Sequence, residues 1–130
     1  MRLLAVLACL VLGACFAAYE LPPTYAPEPS KALEGAKRGA NFEKLVGPVE
    51  VSAVREAHPL GLGPYMLCIR GINFLSEKRH TYAVYFKNND YVSTRMSVIV
   101  DNCEVQAFTP LGIGPFPEMK PVETADQPRT

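Results

Sequence analysis

What most constrains this chain is how little of it is left to form a core. Two proline-rich stretches bracket the middle: Pro22, Pro23, Pro27 and Pro29 before it, and Pro110, Pro115, Pro117, Pro121 and Pro128 after it. Proline fixes φ and donates no backbone hydrogen bond, so Glu20 to Pro29 reads as an extended tether. Beyond Met119 the chain reads as a polar, disordered tail. The remainder, about Phe42 to Pro117, is under eighty residues. A core of that size is marginal without a staple.

Strand signals dominate this middle. Val49 to Val54 is β-rich, and Tyr65 to Ile72 is a second run containing Cys68. Thr81 to Lys87 alternates with Tyr82, Val84 and Phe86 on one face, which sends Tyr85 to the other. Tyr91 to Val100 alternates with Val92, Thr94, Met96, Val98 and Val100 together. Asn88-Asn89-Asp90 between the last two runs is turn chemistry. A two-residue loop would set Phe86 opposite Tyr91 and throw the two apolar faces to opposite sides. A three-residue loop with a bulge sets Phe86 opposite Val92 and Tyr82 opposite Met96. Burial selects the second register. Ahead of the strands, Ser30 is positioned to cap a helix running through Leu45, with Glu34 and Arg38 four apart in support. Gly35 and Gly39 each weaken that helix by about 1 kcal/mol relative to Ala, and Gly47-Pro48 ends it. The expected class is α+β, mainly β: a small antiparallel sheet with a central hairpin and one N-terminal helix.

The first residues read as an address. Met1 and Arg2 precede Leu3 to Ala18, sixteen residues without a charge. A spanning helix needs about 20 apolar residues, so the run fits a secretory signal better than a permanent anchor. Leu12-Gly13-Ala14-Cys15 resembles a bacterial lipobox. That resemblance implies cleavage before Cys15, lipidation of its thiol, and an anchor strengthened by about 0.8 kcal/mol per buried CH₂. The competing cut is ordinary signal-peptidase cleavage near Ala17 or Ala18, giving a secreted or periplasmic protein. Phe16, a residue other than Asp after the cysteine, implies the outer membrane by analogy with enterobacterial sorting. Cys9 leaves with the leader. Cys68 and Cys103 then remain, and two thiols in an exported protein make one disulfide. Such a bridge closes 34 intervening residues and contributes roughly 4 kcal/mol in the chain-entropy picture.

These readings divide the chain into a leader at 1–14, a lipidated cysteine, tether and helix start at 15–41, a stapled β domain at 42–117 and a tail at 118–130. Lys+Arg and Asp+Glu are both 13, which removes the electrostatic case for nucleic acid. The single long apolar run removes a multi-pass membrane protein.

Chemistry-bearing motifs are sparse. Of two histidines, His58 precedes a proline in a turn and His80 ends the polar segment Ser76–His80, so both read as loop residues. No P-loop, dinucleotide-binding glycine motif or zinc-type cysteine spacing occurs. Cys68, His80 and Cys103 lack diagnostic metal spacing, and export favours the disulfide. Asp101, Glu104, Asp90 and Glu77 are acids at strand ends and turns. Lys78, Arg79, Arg70 and Arg95 form a basic patch if their strands are neighbours, or a solvated sheet face. No catalytic residue, metal or cofactor is implied. Pro59-Leu60-Gly61-Leu62-Gly63-Pro64-Tyr65 echoes Pro110-Leu111-Gly112-Ile113-Gly114-Pro115-Phe116. The echo marks either two similar turns flanking the central strands or two apolar loops shown to a partner. Tyr65, Tyr85 and Phe116 are the candidates for a partner surface.

With the lipobox, Tyr65-Met66-Leu67-Cys68-Ile69-Arg70, the Thr81–Phe86 strand and the Val98–Cys103 segment in view, the chain resembles small alphaproteobacterial lipoproteins, especially of rhizobial relatives. The likeness covers the leader and about residues 48 to 112. That family carries no assigned activity, so the resemblance implies a location and a disulfide but no mechanism. A fainter likeness, in the Cys68 strand and Thr81–Tyr91, is to membrane-bound inhibitors of C-type lysozyme, without their Ser-Gly-containing inhibitory loop. The expected function is a non-enzymatic envelope lipoprotein that binds or scaffolds another envelope protein, on the periplasmic face of the outer membrane. The alternatives are an inhibitor or immunity-type protein, or an enzyme with an unrecognised site.

Overall fold

The computed structural model describes residues 20–113. The element order is α1 (Pro29–Phe42), β1 (Leu45–Ser52), β2 (Arg55–Glu56), β3 (Tyr65–Asn73), β4 (Arg79–Lys87), β5 (Asp90–Met96) and β6 (Phe108–Ile113). The strands form one antiparallel sheet in the order β5-β4-β3-β1-β6, and β2 continues the β1 side of β3. The fold is therefore α+β and mainly β, as expected, with one α-helix among the described residues, a β4–β5 hairpin at one side of the sheet and a Cys68–Cys103 disulfide.

Both faces of the sheet are covered. On one, Ala32, Ala36 and Ala40 of α1 pack with Leu45, Val49, Leu67, Ile69, Tyr82, Val84 and Phe86. On the other, Met66, Cys68, Ala83 and Tyr85 pack with Cys103. Residues 97–107 cross this second face between the two edge strands through 3₁₀ turns at Ile99–Asp101 and Cys103–Val105. The bridge ties that crossing to the middle strand, with the two Cα atoms 5.8 Å apart.

The helix begins one residue before the expected cap. Pro29 stands at its first position, where a fixed φ helps and the missing N–H is not needed. It ends at Phe42, before Lys44 turns left-handed at φ 53°. The expected Glu34–Arg38 pair is replaced by Lys31–Glu34 at 3.1 Å, while Arg38 lies over the Tyr91 ring. Gly35 and Gly39 are more than weak points in the helix. Both are buried on the helix face that meets the sheet, where a Cβ on Gly39 would stand 2.8 Å from Val84 and Thr94.

The domain boundary expected at residue 42 also moves. Tyr25 N and Glu28 N donate to the side-chain oxygens of Asn88 and Asn89 at 3.0 and 2.9 Å, and Pro27 is buried. The last part of the tether and all of α1 thus belong to the packed unit.

The hairpin corrects the register near its turn and matches it further out. Phe86 pairs with Tyr91 across a two-residue loop, contrary to expectation, yet Val84 pairs with Thr94 and Tyr82 with Met96 as expected. A bulge at Val92 absorbs the extra residue, so burial is satisfied without lengthening the loop. The run to Val100 is cut short at Met96. Asp101 accepts a bond from Val98 N at 2.8 Å, and Asn102 turns left-handed, which curls the chain toward Cys68. Pro110 to Ile113, expected as a turn, is edge strand β6 paired to β1. An edge tolerates a residue with no N–H, and a bulge at Leu111 lies beside Gly112 at φ 126°. The other half of the echo, around Pro59 to Pro64, is a turn as expected.

Candidate functional site

At the end of the sheet remote from the β4–β5 turn lies a cleft of about 450 Å³. The ladder makes it. Between the pairs Val46–Ile72 and Glu50–Arg70, three residues of β1 oppose one of β3, so β1 bows outward. Pro48, Ile72 and Pro110 give apolar walls, and Glu50 and Arg79 give a charged side. Alternation explains the charges. Glu50 sits between Val49 and Val51, which face the helix cluster, so its side chain takes the opposite face with Arg70.

Arg70 Nε and Arg79 Nη2 both donate to Glu50 Oε2. The Arg70 bond first, then the charges of both guanidinium groups, outweigh burial and hold the Glu50 carboxyl below its ordinary range. Arg70 is also braced over the Phe108 ring, 4.0 Å from its centroid. Two cations on one carboxylate leave the cleft with one net positive charge. Arg79 is the outer member, its side chain 60% exposed. Such a site suits an oxyanion with a small apolar body, because guanidinium donors match carboxylate geometry.

A second ionic group is buried. Tyr85 donates to Asp101 Oδ1 at 2.6 Å, and Arg95 donates to Oδ2 at 2.8 Å and Oδ1 at 3.0 Å. Burial pushes the Asp101 carboxyl up, but the bonds from Tyr85, Val98 N and Arg95 together hold it below its ordinary value. Burial, then the bond to Asp101, pushes the Tyr85 hydroxyl well above its ordinary value. Arg55 acts on the same tyrosine, and its Nε and Nη2 are buried without an acceptor. This group pins the crossing segment to the sheet.

Of the residues expected as a partner surface, Tyr65 and Tyr85 do not converge. Tyr85 is fully buried, so it is removed as a partner surface. The alternation that sent it away from Tyr82 sent it under residues 97–107 rather than into solvent. Tyr65 is half-buried against the helix-side cluster, on the opposite face from Tyr85. Cys15 and Phe116 lie outside the described residues, as do the leader and the tail. His80 lies in β4 rather than a loop, bonded to Ser76 Oγ at 3.1 Å, while His58 is exposed. Of the four cations read as a patch, Arg70 and Arg79 meet and Arg95 belongs to the Asp101 group. Glu50, their hub, was not singled out. The signal was available as a lone acid between two valines in a β-rich run.

Among the described residues, no group of three His, Cys, Asp or Glu side chains is placed to hold a metal ion. No described helix is long and apolar enough to cross a membrane. Comparison with protein-family models, curated proteins and solved structures finds no match to this chain.

Proposed function

We propose that this protein is a non-enzymatic envelope lipoprotein, anchored through Cys15 on the periplasmic face of the outer membrane, that binds a carboxylate-bearing peptide of another envelope component in the Glu50–Arg70–Arg79 cleft. One observation supports the reading of an exported protein: the domain closes on a buried Cys68–Cys103 bridge, and such bridges form and persist in oxidising compartments. The lipobox-like Leu12–Cys15 supplies the anchor. The cleft supports binding, because its volume suits a short peptide end, its walls are apolar and its net charge is positive.

Two measurements test this. Labelled palmitate is expected to enter the native protein and to be absent from Cys15→Ser; label persisting in that variant overturns the anchor. In a magnetic-resonance titration, a trialanine peptide with a free carboxylate is expected to shift the amides of Glu50, Arg70, Ile72 and Arg79, and its C-terminal amide is not. Arg79→Gln is expected to weaken the free peptide at least fivefold. Equal shifts from acid and amide overturn the binding role.

A further inference from the structure

The tether does not leave the domain at an arbitrary point. Asn88 and Asn89 form the tip of the β4–β5 hairpin, and their side-chain oxygens take the backbone N–H groups of Tyr25 and Glu28. Each bond joins residues more than sixty apart in the chain, so the tip is a clamp as well as a turn. Asn88 occupies the left-handed region at φ 54°, which asparagine tolerates better than most residues. Pro27 is buried between the two clamped positions.

The cleft lies at the other end of the sheet. Arg79 begins β4 and Lys87 ends it beside the tip, about 27 Å apart at the usual strand rise of about 3.4 Å. The ten residues from Cys15 to Tyr25 reach at most about 35 Å, and Pro22 and Pro23 stiffen part of that span. We infer, on the reading of Cys15 as the anchor, that the Asn88–Asn89 clamp holds the hairpin tip toward the membrane and points the cleft away from it. Its occupant is then a carboxylate-bearing peptide presented from the side away from the anchoring membrane.

The test couples the full mature chain through the Cys15 thiol to a maleimide lipid in phosphatidylcholine vesicles. A click-attached fluorophore replaces either Asp90, at the tip, or Leu75, in the exposed turn beside Arg79. Energy transfer to a headgroup-bound acceptor is expected to be at least twofold greater from position 90 than from position 75. The double variant Asn88→Gly, Asn89→Gly keeps the backbone conformation accessible and is expected to bring the two signals together. Equal or reversed transfer in the protein with its native Asn88–Asn89 clamp overturns the inference. So does binding of the uncoupled chain to phosphatidylglycerol vesicles that Arg79→Gln abolishes, which would make lipid the occupant. The lipid is attached chemically here, so failure of this geometry is distinct from a native protein that lacks acyl mass.

Discussion

Tyr85 and Asp101 meet at 2.6 Å between the middle of β4 and a 3₁₀ turn that follows β5, and neither has any surface exposed to solvent. The carboxylate takes four protein donors in all, from Tyr85, Val98 N and two nitrogens of Arg95. Removing one partner of such a group strands the others. Asp101→Ala is expected to lower stability by about 3 kcal/mol, measured as a shift in the urea midpoint.

The same carboxylate gives the fold an acid limit. Its folded pKa lies below the ordinary 3.8 of an aspartate, so the stability it adds is fully present above that value. It is lost as pH falls through the lower, folded pKa. Urea midpoints of the native protein are expected to fall steeply on going below pH 4. Asp101→Asn is expected to show a shallower acid slope from a lower plateau. Parallel slopes for the two proteins would contradict this.

Tyr85 sets the opposite limit. Its folded pKa is raised above the ordinary 10.0, so its stability is present below that value and is lost as pH rises through the folded pKa. Tyr85→Phe is expected to be less stable at pH 8 by about 1 kcal/mol. Its midpoint is expected to change less between pH 9 and pH 11 than the native protein's does.

Gly39 faces Val84 and Thr94 so closely that a methyl group has no room, 2.8 Å from each. In an exposed helix, Gly→Ala stabilises by about 1 kcal/mol. Here Gly39→Ala is expected to destabilise by about 1–3 kcal/mol through overpacking. A rise in the thermal midpoint would show that the helix simply shifts outward.

The bridge joins positions 35 apart, and reduction is expected to cost roughly 4 kcal/mol of stability. Equilibrium unfolding with and without reductant checks this. The paired variant Cys68→Ser, Cys103→Ser is expected to unfold at the midpoint of the reduced protein.

Legibility in the sequence followed the range of the forces involved. Strand cores such as Tyr65–Ile72 and Thr81–Lys87 were readable because alternation and β-branching are local. The pairing of Tyr82 with Met96 was readable because a slip would turn a whole face over. The bulge at Val92 was not, since a two-residue loop plus a bulge reaches the same outer register as a longer loop. The helix was readable, but the meaning of Gly35 and Gly39 was not. A glycine that weakens an isolated helix is indistinguishable, in one dimension, from one that admits Phe86 and Val84. Tyr85 and Asp101 were each visible, one as an outward-facing aromatic and the other as a turn acid. Nothing local announced that residues 97–107 would fold back over one and deliver the other.

From the residues alone came the kind of fold, the cysteine pairing and the run of the central strands, because hydrophobic period and thiol count act without knowledge of neighbours. The burial of Tyr85, the union of Glu50 with Arg70 and Arg79, and the hold of Asn88 and Asn89 on the tether were decided only in three dimensions. Each joins groups at least sixteen residues apart, and such contacts exist only after the sheet has set its register and the crossing has closed over it.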